Sequence, residues 1–211
     1  GIYFGQHELA DDKARDVNDY SADEIRRILH FAFKSAQSRP RKLLTSVDKQ
    51  NVLATSKLWR KTADEIADEY PDVRLEHQLV DSCAMLLITN PQQFDVIVTE
   101  NLFGDILSDE ASSLAGTLGV MPSSSHGFNG LSLYEPIHGS APDIAGKEIA
   151  NPVSMILSVA LMLRESFEQE EGAAMIEKAV TQTFTDGILT KDLGGTATTE
   201  EMTEAILKNC Q

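Results

Sequence analysis

Two aspartates one helical turn apart are the first residues that suggest chemistry. Asp105 and Asp109 lie in Asn101-Leu102-Phe103-Gly104-Asp105-Ile106-Leu107-Ser108-Asp109, and on a helix that spacing puts both carboxylates on one face. Like charges so placed repel, and a bound cation would reverse the repulsion. Carboxylate oxygens suit a hard ion, Mg2+ or Mn2+, with positions left for substrate and water. The same pair also fits a solvated acidic face near a helix start. Asp81 follows the alternating stretch Leu75 to Leu79 and reads either as a metal ligand or as the N-cap of a short helix over Ser82 to Thr89. Lys49 stands just past the apolar stretch Leu43 to Val47. Near a metal such a lysine can act as a base; otherwise it is a surface cation.

A second chemistry-bearing segment is rich in small residues: His138-Gly139-Ser140-Ala141-Pro142-Asp143-Ile144-Ala145-Gly146, preceded by Tyr134-Glu135-Pro136-Ile137. Small side chains let a ligand come close to the backbone. A carboxylate at Asp143 could accept from both hydroxyls of a cofactor ribose and would repel a 2′-phosphate. It could equally cap a tight loop. There is no G-x-G-x-x-G or Walker A pattern, so neither an ordinary Rossmann site nor a P-loop is indicated.

The elements that would position these residues can be read from period and caps. Ser21-Ala22-Asp23-Glu24 is a capping box ahead of Ile25, Ile28, Leu29, Ala32 and Phe33, which predicts a helix over 22–37. A short buried strand is expected from Leu43 to Val47, a helix over 55–70 with Leu58, Trp59, Thr62 and Ile66 on one face, and a strand around Val73 to Leu79. Another strand follows at Phe94 to Val98, then a helix from Leu102 to Leu114. Gly, Ser and Pro dominate from Gly116 to Gly146, where a long functional loop with short strands is expected. Pro152 reads as the first residue of a helix running to Phe167, with further helices near 172–185 and 199–209, the last opened by a capping box at Thr198-Thr199-Glu200-Glu201. The first five residues, Gly1-Ile2-Tyr3-Phe4-Gly5, read as the inside of a strand or hairpin, and residues 6–19 as a loop. Helices alternating with short strands make the class α/β.

The bulk numbers bound the function. At 211 residues, 42% hydrophobic and 24% charged, the chain can bury a substantial core as one large domain or two small ones. A formal charge of −15 without a basic stripe argues against nucleic acid. An acidic protein that binds an anionic substrate needs local positive charge from a metal or a few placed Lys and Arg. Cys83 and Cys210 show no metal-ligand spacing, which fits a reduced, cytoplasmic setting. The longest apolar stretch, Pro152 to Leu163, is too short to span a bilayer.

Taken together, GIYFG, TSVDKQNVL, LEHQLVDSCAM, NLFGDILSDEAS, EPIHGSAPDIAGKEIANP and DLGGTATTEE resemble the isopropylmalate/isocitrate dehydrogenase family along essentially the whole chain. NLFGDILSD and HGSAPDIAGK are the most specific. The resemblance implies that family's two-domain α/β fold, not a standard Rossmann fold. Residues 1–115 would form a substrate, metal and dimerisation domain, incomplete at its start, and residues 116–211 the C-terminal half of a nucleotide-binding domain. It implies an NAD- and Mg2+- or Mn2+-dependent decarboxylating dehydrogenase of a small hydroxy-diacid, leaning towards isopropylmalate, with tartrate/malate, homoisocitrate and isocitrate as alternatives. Asp81, Asp105 and Asp109 would then bind the metal. Lys49 would take the substrate hydroxyl proton, and Tyr20 would protonate the enol. Glu135, His138, Gly139, Ser140, Ala141, Asp143, Ile144 and Asn151 would form the nucleotide loop, with Asp143 and Ile144 pointing to NAD rather than NADP. Lys49 and Asp81 would reach into a partner subunit's site, making an obligate homodimer with shared active sites.

Two departures accompany the resemblance. The family carries a substrate-binding arginine soon after GIYFG, where this sequence has His7 and Glu8, with Arg15 nearby. The chain also lacks an initiator Met and reads as starting inside the family's sequence, with the first strands of the nucleotide-binding domain and the other substrate arginines outside it. Two expectations therefore stand side by side: an active enzyme when that portion is supplied, or a non-catalytic dimerising or metal-binding module.

Overall fold

A computed structural model describes every residue except Phe128 and Gln211. The chain divides into two compact units, Gly1–Ala111 and the residues from Ser112 onward.

The first unit is built on a three-stranded parallel sheet in the order β4-β3-β5, with β3 (Leu43–Asp48), β4 (Arg74–Leu79) and β5 (Val96–Val98). The central strand, β3, is buried at every residue, as a run of apolar and small residues sandwiched between layers should be. Helix α1 (Ala22–Gln37) covers the sheet with Ile25, Leu29, Ala32, Phe33 and Ala36. Its start is fixed by the expected box: the Glu24 amide donates to Ser21 Oγ at 3.3 Å, and the Ser21 amide donates back to Glu24 Oε2 at 2.8 Å. Helix α2 (Ala54–Ala67) adds Trp59, Ala63 and Ile66 to the same core. On the other side, α3 (Val80–Thr89) and α4 (Asn101–Ala115) bury Cys83, Leu87 and Leu107 against Val47.

The start of the unit departs from expectation. Ile2–Phe4 form a 3-10 turn, not a strand; a strand needs a partner ladder, and among the described residues none pairs with them. Residues 6–19, expected as a loop, hold a hairpin of β1 (His7–Leu9) and β2 (Ala14–Asp16), pairing Glu8 with Arg15. Every residue of both strands is exposed, so no buried face writes an alternation into the sequence. Asp81 is a further correction: the helix cap is Leu79, and Asp81 lies inside the first turn of α3.

The second unit pairs an antiparallel hairpin, β6 (Pro122–His126) and β7 (Ser132–Pro136), with three helices. These are α5 (Val153–Phe167), α6 (Glu170–Thr185) and α7 (Thr199–Asn209), packed around Val153, Ala179, Val180, Met202 and Ile206. Pro152 caps α5 instead of opening its first turn. The Thr198 box forms as expected, with the Glu201 amide donating to Thr198 Oγ1 at 3.1 Å.

Candidate active site

Lys49 follows the last residue of β3, the end of a parallel strand where α/β proteins present their functional loops. Its backbone is pinned from two sides. Its N–H donates to the buried Ser56 Oγ at 3.0 Å. The preceding Asp48, 1% exposed, accepts from Arg60 Nε at 2.8 Å and from the Gln50 amide at 2.9 Å. So held, the Lys49 ammonium meets Asp81 Oδ1 at 2.5 Å. That hydrogen bond is the main reason the Asp81 carboxyl sits below the usual carboxylate range.

Asp105 and Asp109 are both exposed, one turn apart on α4. Asp105 Oδ2 accepts from the Tyr3 hydroxyl at 2.8 Å, and this hydrogen bond, ahead of the nearby negative charges, raises the Tyr3 phenol above its ordinary value. Tyr20 lies close to the start of the same helix: its hydroxyl donates to Glu100 Oε2 at 3.1 Å and accepts from the Asn101 amide at 3.3 Å. The structure thus assembles Lys49 with Asp81, and places Tyr3 and Tyr20 beside α4. Among the described residues of a single chain, no three His, Cys, Asp or Glu side chains converge to hold a metal.

The second unit contains a cavity of about 710 Å3, lined among others by His138, Gly139, Ser140, Ala141, Ile144 and Asn151. Glu135, on β7, and Asp143, in the 3-10 turn Pro142–Ile144, are exposed and outside this wall. Ala141 takes a left-handed backbone (φ 41°) to start that turn. Asn151 ties the wall together. Its Oδ1 accepts from the Val153 amide at 3.0 Å, opening α5, and its Nδ2 donates to Asp192 Oδ2 at 3.0 Å. Burial opposes a charge on Asp192, yet hydrogen bonds from Thr190, Asn151 and Thr117 outweigh it and lower the carboxyl. Gly119 has to be glycine for this network: a Cβ there would meet Asp192 Oδ2 at 2.7 Å and Asn151 Cβ at 2.9 Å. Asp192, Thr117, Gly119, Tyr3 and Glu100 were not singled out from the sequence. Asp192 and Tyr3 sit in matching motifs, but their partners lie 41 and 102 residues away.

A family profile described as isocitrate/isopropylmalate dehydrogenase matches residues 1–206. The chain belongs to the isocitrate/isopropylmalate dehydrogenase family. Within it, the chain is 96% identical over 211 residues to the 3-isopropylmalate dehydrogenase of Lactococcus lactis subsp. lactis (strain IL1403), covering 100% of this chain and 61% of that protein. It is 73% identical over 209 residues to the 3-isopropylmalate dehydrogenase of Streptococcus thermophilus (strain CNRZ 1066), covering 99% and 60% respectively. The chain therefore spans about three fifths of the length of these curated relatives. Among solved structures, the isocitrate dehydrogenase of Methylococcus capsulatus superposes with a TM-score of 0.92 at 40% identity, over 100% of this chain and 64% of that one. The β-decarboxylating dehydrogenase TK0280 of Thermococcus kodakarensis superposes at 0.86 and 40% identity, over 98% and 60%. The family's α/β fold, expected from the motifs, is the fold of this chain.

Proposed function

We propose that the protein catalyses the NAD-dependent oxidative decarboxylation of 3-isopropylmalate in leucine biosynthesis, with Mg2+ or Mn2+. The observation that carries this reading is the near-identity of the whole chain to a lactococcal dehydrogenase of that substrate. The donor sets suit both groups. Asp81, Asp105 and Asp109 are exposed carboxylates, the hard oxygen donors that Mg2+ and Mn2+ prefer. The small residues Gly139, Ser140, Ala141 and Gly146 in the wall of the second unit's cavity leave backbone open to a nucleotide. When bound, the nicotinamide accepts hydride and the metal polarises a carbonyl oxygen.

The chain's own side chains supply the proton chemistry. Lys49, as its neutral amine, takes the proton from the substrate hydroxyl as the carbonyl forms, and Asp81 holds the ammonium that results. Tyr20 gives a proton to the carbon left electron-rich by loss of CO2. Asp143 favours NAD, because a carboxylate there accepts from ribose hydroxyls and repels a 2′-phosphate. Asp81 does not converge with Asp105 and Asp109 among the described residues of one chain, so in this reading Asp81 and Lys49 act across a homodimer interface. The exposed Met85 and Ile88 on α3 and Ile106 on α4 give that interface its apolar surface.

The test follows NAD reduction with 3-isopropylmalate, tartrate, malate, homoisocitrate and isocitrate, in this chain joined to the part of the lactococcal relative it does not match. Turnover is expected with 3-isopropylmalate and Mn2+, lost with a chelator and in Asp105→Asn. Equal rates in wild type and Asp105→Asn, or faster turnover of another acid, would contradict the reading.

A further inference from the structure

Glu100 is a carboxylate that the chemistry above leaves unused, and it is 8% exposed. It stands immediately before α4 and serves as its cap: Oε2 accepts from the Leu102 amide at 3.0 Å and Oε1 from the Phe103 amide at 3.3 Å. For capping alone, the shorter Ser, Thr, Asp and Asn are the preferred residues. Glutamate is one methylene longer than aspartate, and the same Oε2 also receives the Tyr20 hydroxyl at 3.1 Å, across 80 residues of sequence. The phenol oxygen accepts in turn from the Asn101 amide at 3.3 Å. Tyr20 is thus held by two hydrogen bonds of opposite direction at one turn of chain.

We propose that Glu100 is the positioning residue of Tyr20, its carboxylate holding the phenol hydroxyl at the first turn of the helix that carries Asp105 and Asp109. The proposal rests on the reading of Tyr20 as the proton donor. Its chemical consequence is that Tyr20 stays an acid. Ionising the phenol would set a second negative charge against a buried carboxylate and replace a charge-assisted hydrogen bond with repulsion. The surroundings act in the same sense on balance. Burial raises the phenol most, the Asn101 amide lowers it, and Glu100 raises it again by charge and hydrogen bond, with Glu24 of α1 adding to the rise.

The alkaline absorbance titration of tyrosinate tests this on the chain itself, without substrate. The transition that disappears in Tyr20→Phe is the Tyr20 transition. In Glu100→Gln, which keeps an oxygen to cap α4 but loses the charge, it is expected to move to lower pH. A Glu100 that merely caps the helix would leave that transition where it is, and this result overturns the proposal. Should Glu100→Gln fail to fold, the wild-type chain labelled with 13Cζ-tyrosine gives the same answer. The Tyr20 signal should shift as carboxyl groups protonate in acid while the fold persists, and a Tyr20 signal blind to that titration overturns the proposal. Because neither readout needs turnover, their failure strikes this proposal alone, whereas full activity in Tyr20→Phe would strike the proton-donor reading beneath it.

Discussion

The Lys49–Asp81 contact is where the proposed chemistry meets single residues. A half-buried ammonium and an exposed carboxylate at 2.5 Å hold each other in register, and the Asp48–Arg60 pair fixes the turn from which the lysine projects. Because the folded Asp81 carboxyl is lowered, its stabilising contact is in place above the ordinary carboxylate range and is lost as pH falls through the lowered value. Lys49→Met should return the Asp81 titration towards its ordinary value, read from its 13C carboxyl signal; an unchanged titration would show the two groups apart in solution. As the proposed base, Lys49 should also cost turnover about 100- to 10,000-fold when replaced by Met, with NAD affinity unchanged. The two cysteines should separate chemically. Cys83 is fully buried, and burial, helped by the Glu110 charge, pushes its thiol up to about 11. At pH 8 a disulfide reagent should therefore modify Cys210 quickly and Cys83 only on unfolding, as the rates in Cys83→Ala and Cys210→Ala would show.

At the scale of elements, the helices with local start signals were readable and the pieces without them were not. Ser21 and Thr198 carry their caps within four residues, so a single window of sequence contains the whole interaction, and Ser21→Ala should cost about 1 kcal/mol in chemical denaturation. The exposed hairpin of β1 and β2 buries no face, so no apolar alternation announces it, and its cross-strand pairs, His7 with Asp16 and Glu8 with Arg15, exist only once the turn has formed. Asp81 looked like a cap because it precedes an apolar run, but Val80 already begins the helix. The same rule governs the site. Asp105, Asp109 and the small residues 139–141 stand out through spacing and composition. Asp192 depends on Asn151, 41 residues away, and Glu100 on Tyr20, so their roles exist only once the chain is folded. The crowded contact at Gly119 gives a prediction for this scale: Gly119→Ala should push Asn151 and Asp192 apart and weaken NAD binding, measured by fluorescence titration, while leaving Mn2+ binding intact.

For the whole molecule, the central claim is that each metal site is shared. A single chain offers Asp105 and Asp109 on α4, and Asp81, paired with Lys49, on other elements. The proposed homodimer, in which each α4 would face the other chain's Asp81, would complete both sites, and Ile88→Lys on the exposed face of α3 should then give monomers by light scattering. The most direct measurement mixes two inactive parents. Asp81→Asn and Asp105→Asn each damage every site in their own homodimer, whereas a heterodimer of the two contains one site with all three carboxylates intact. After co-refolding, the mixture should regain tight Mn2+ binding, at one ion per heterodimer, that neither parent shows by electron paramagnetic resonance. A mixture that binds no better than its parents would contradict the shared site.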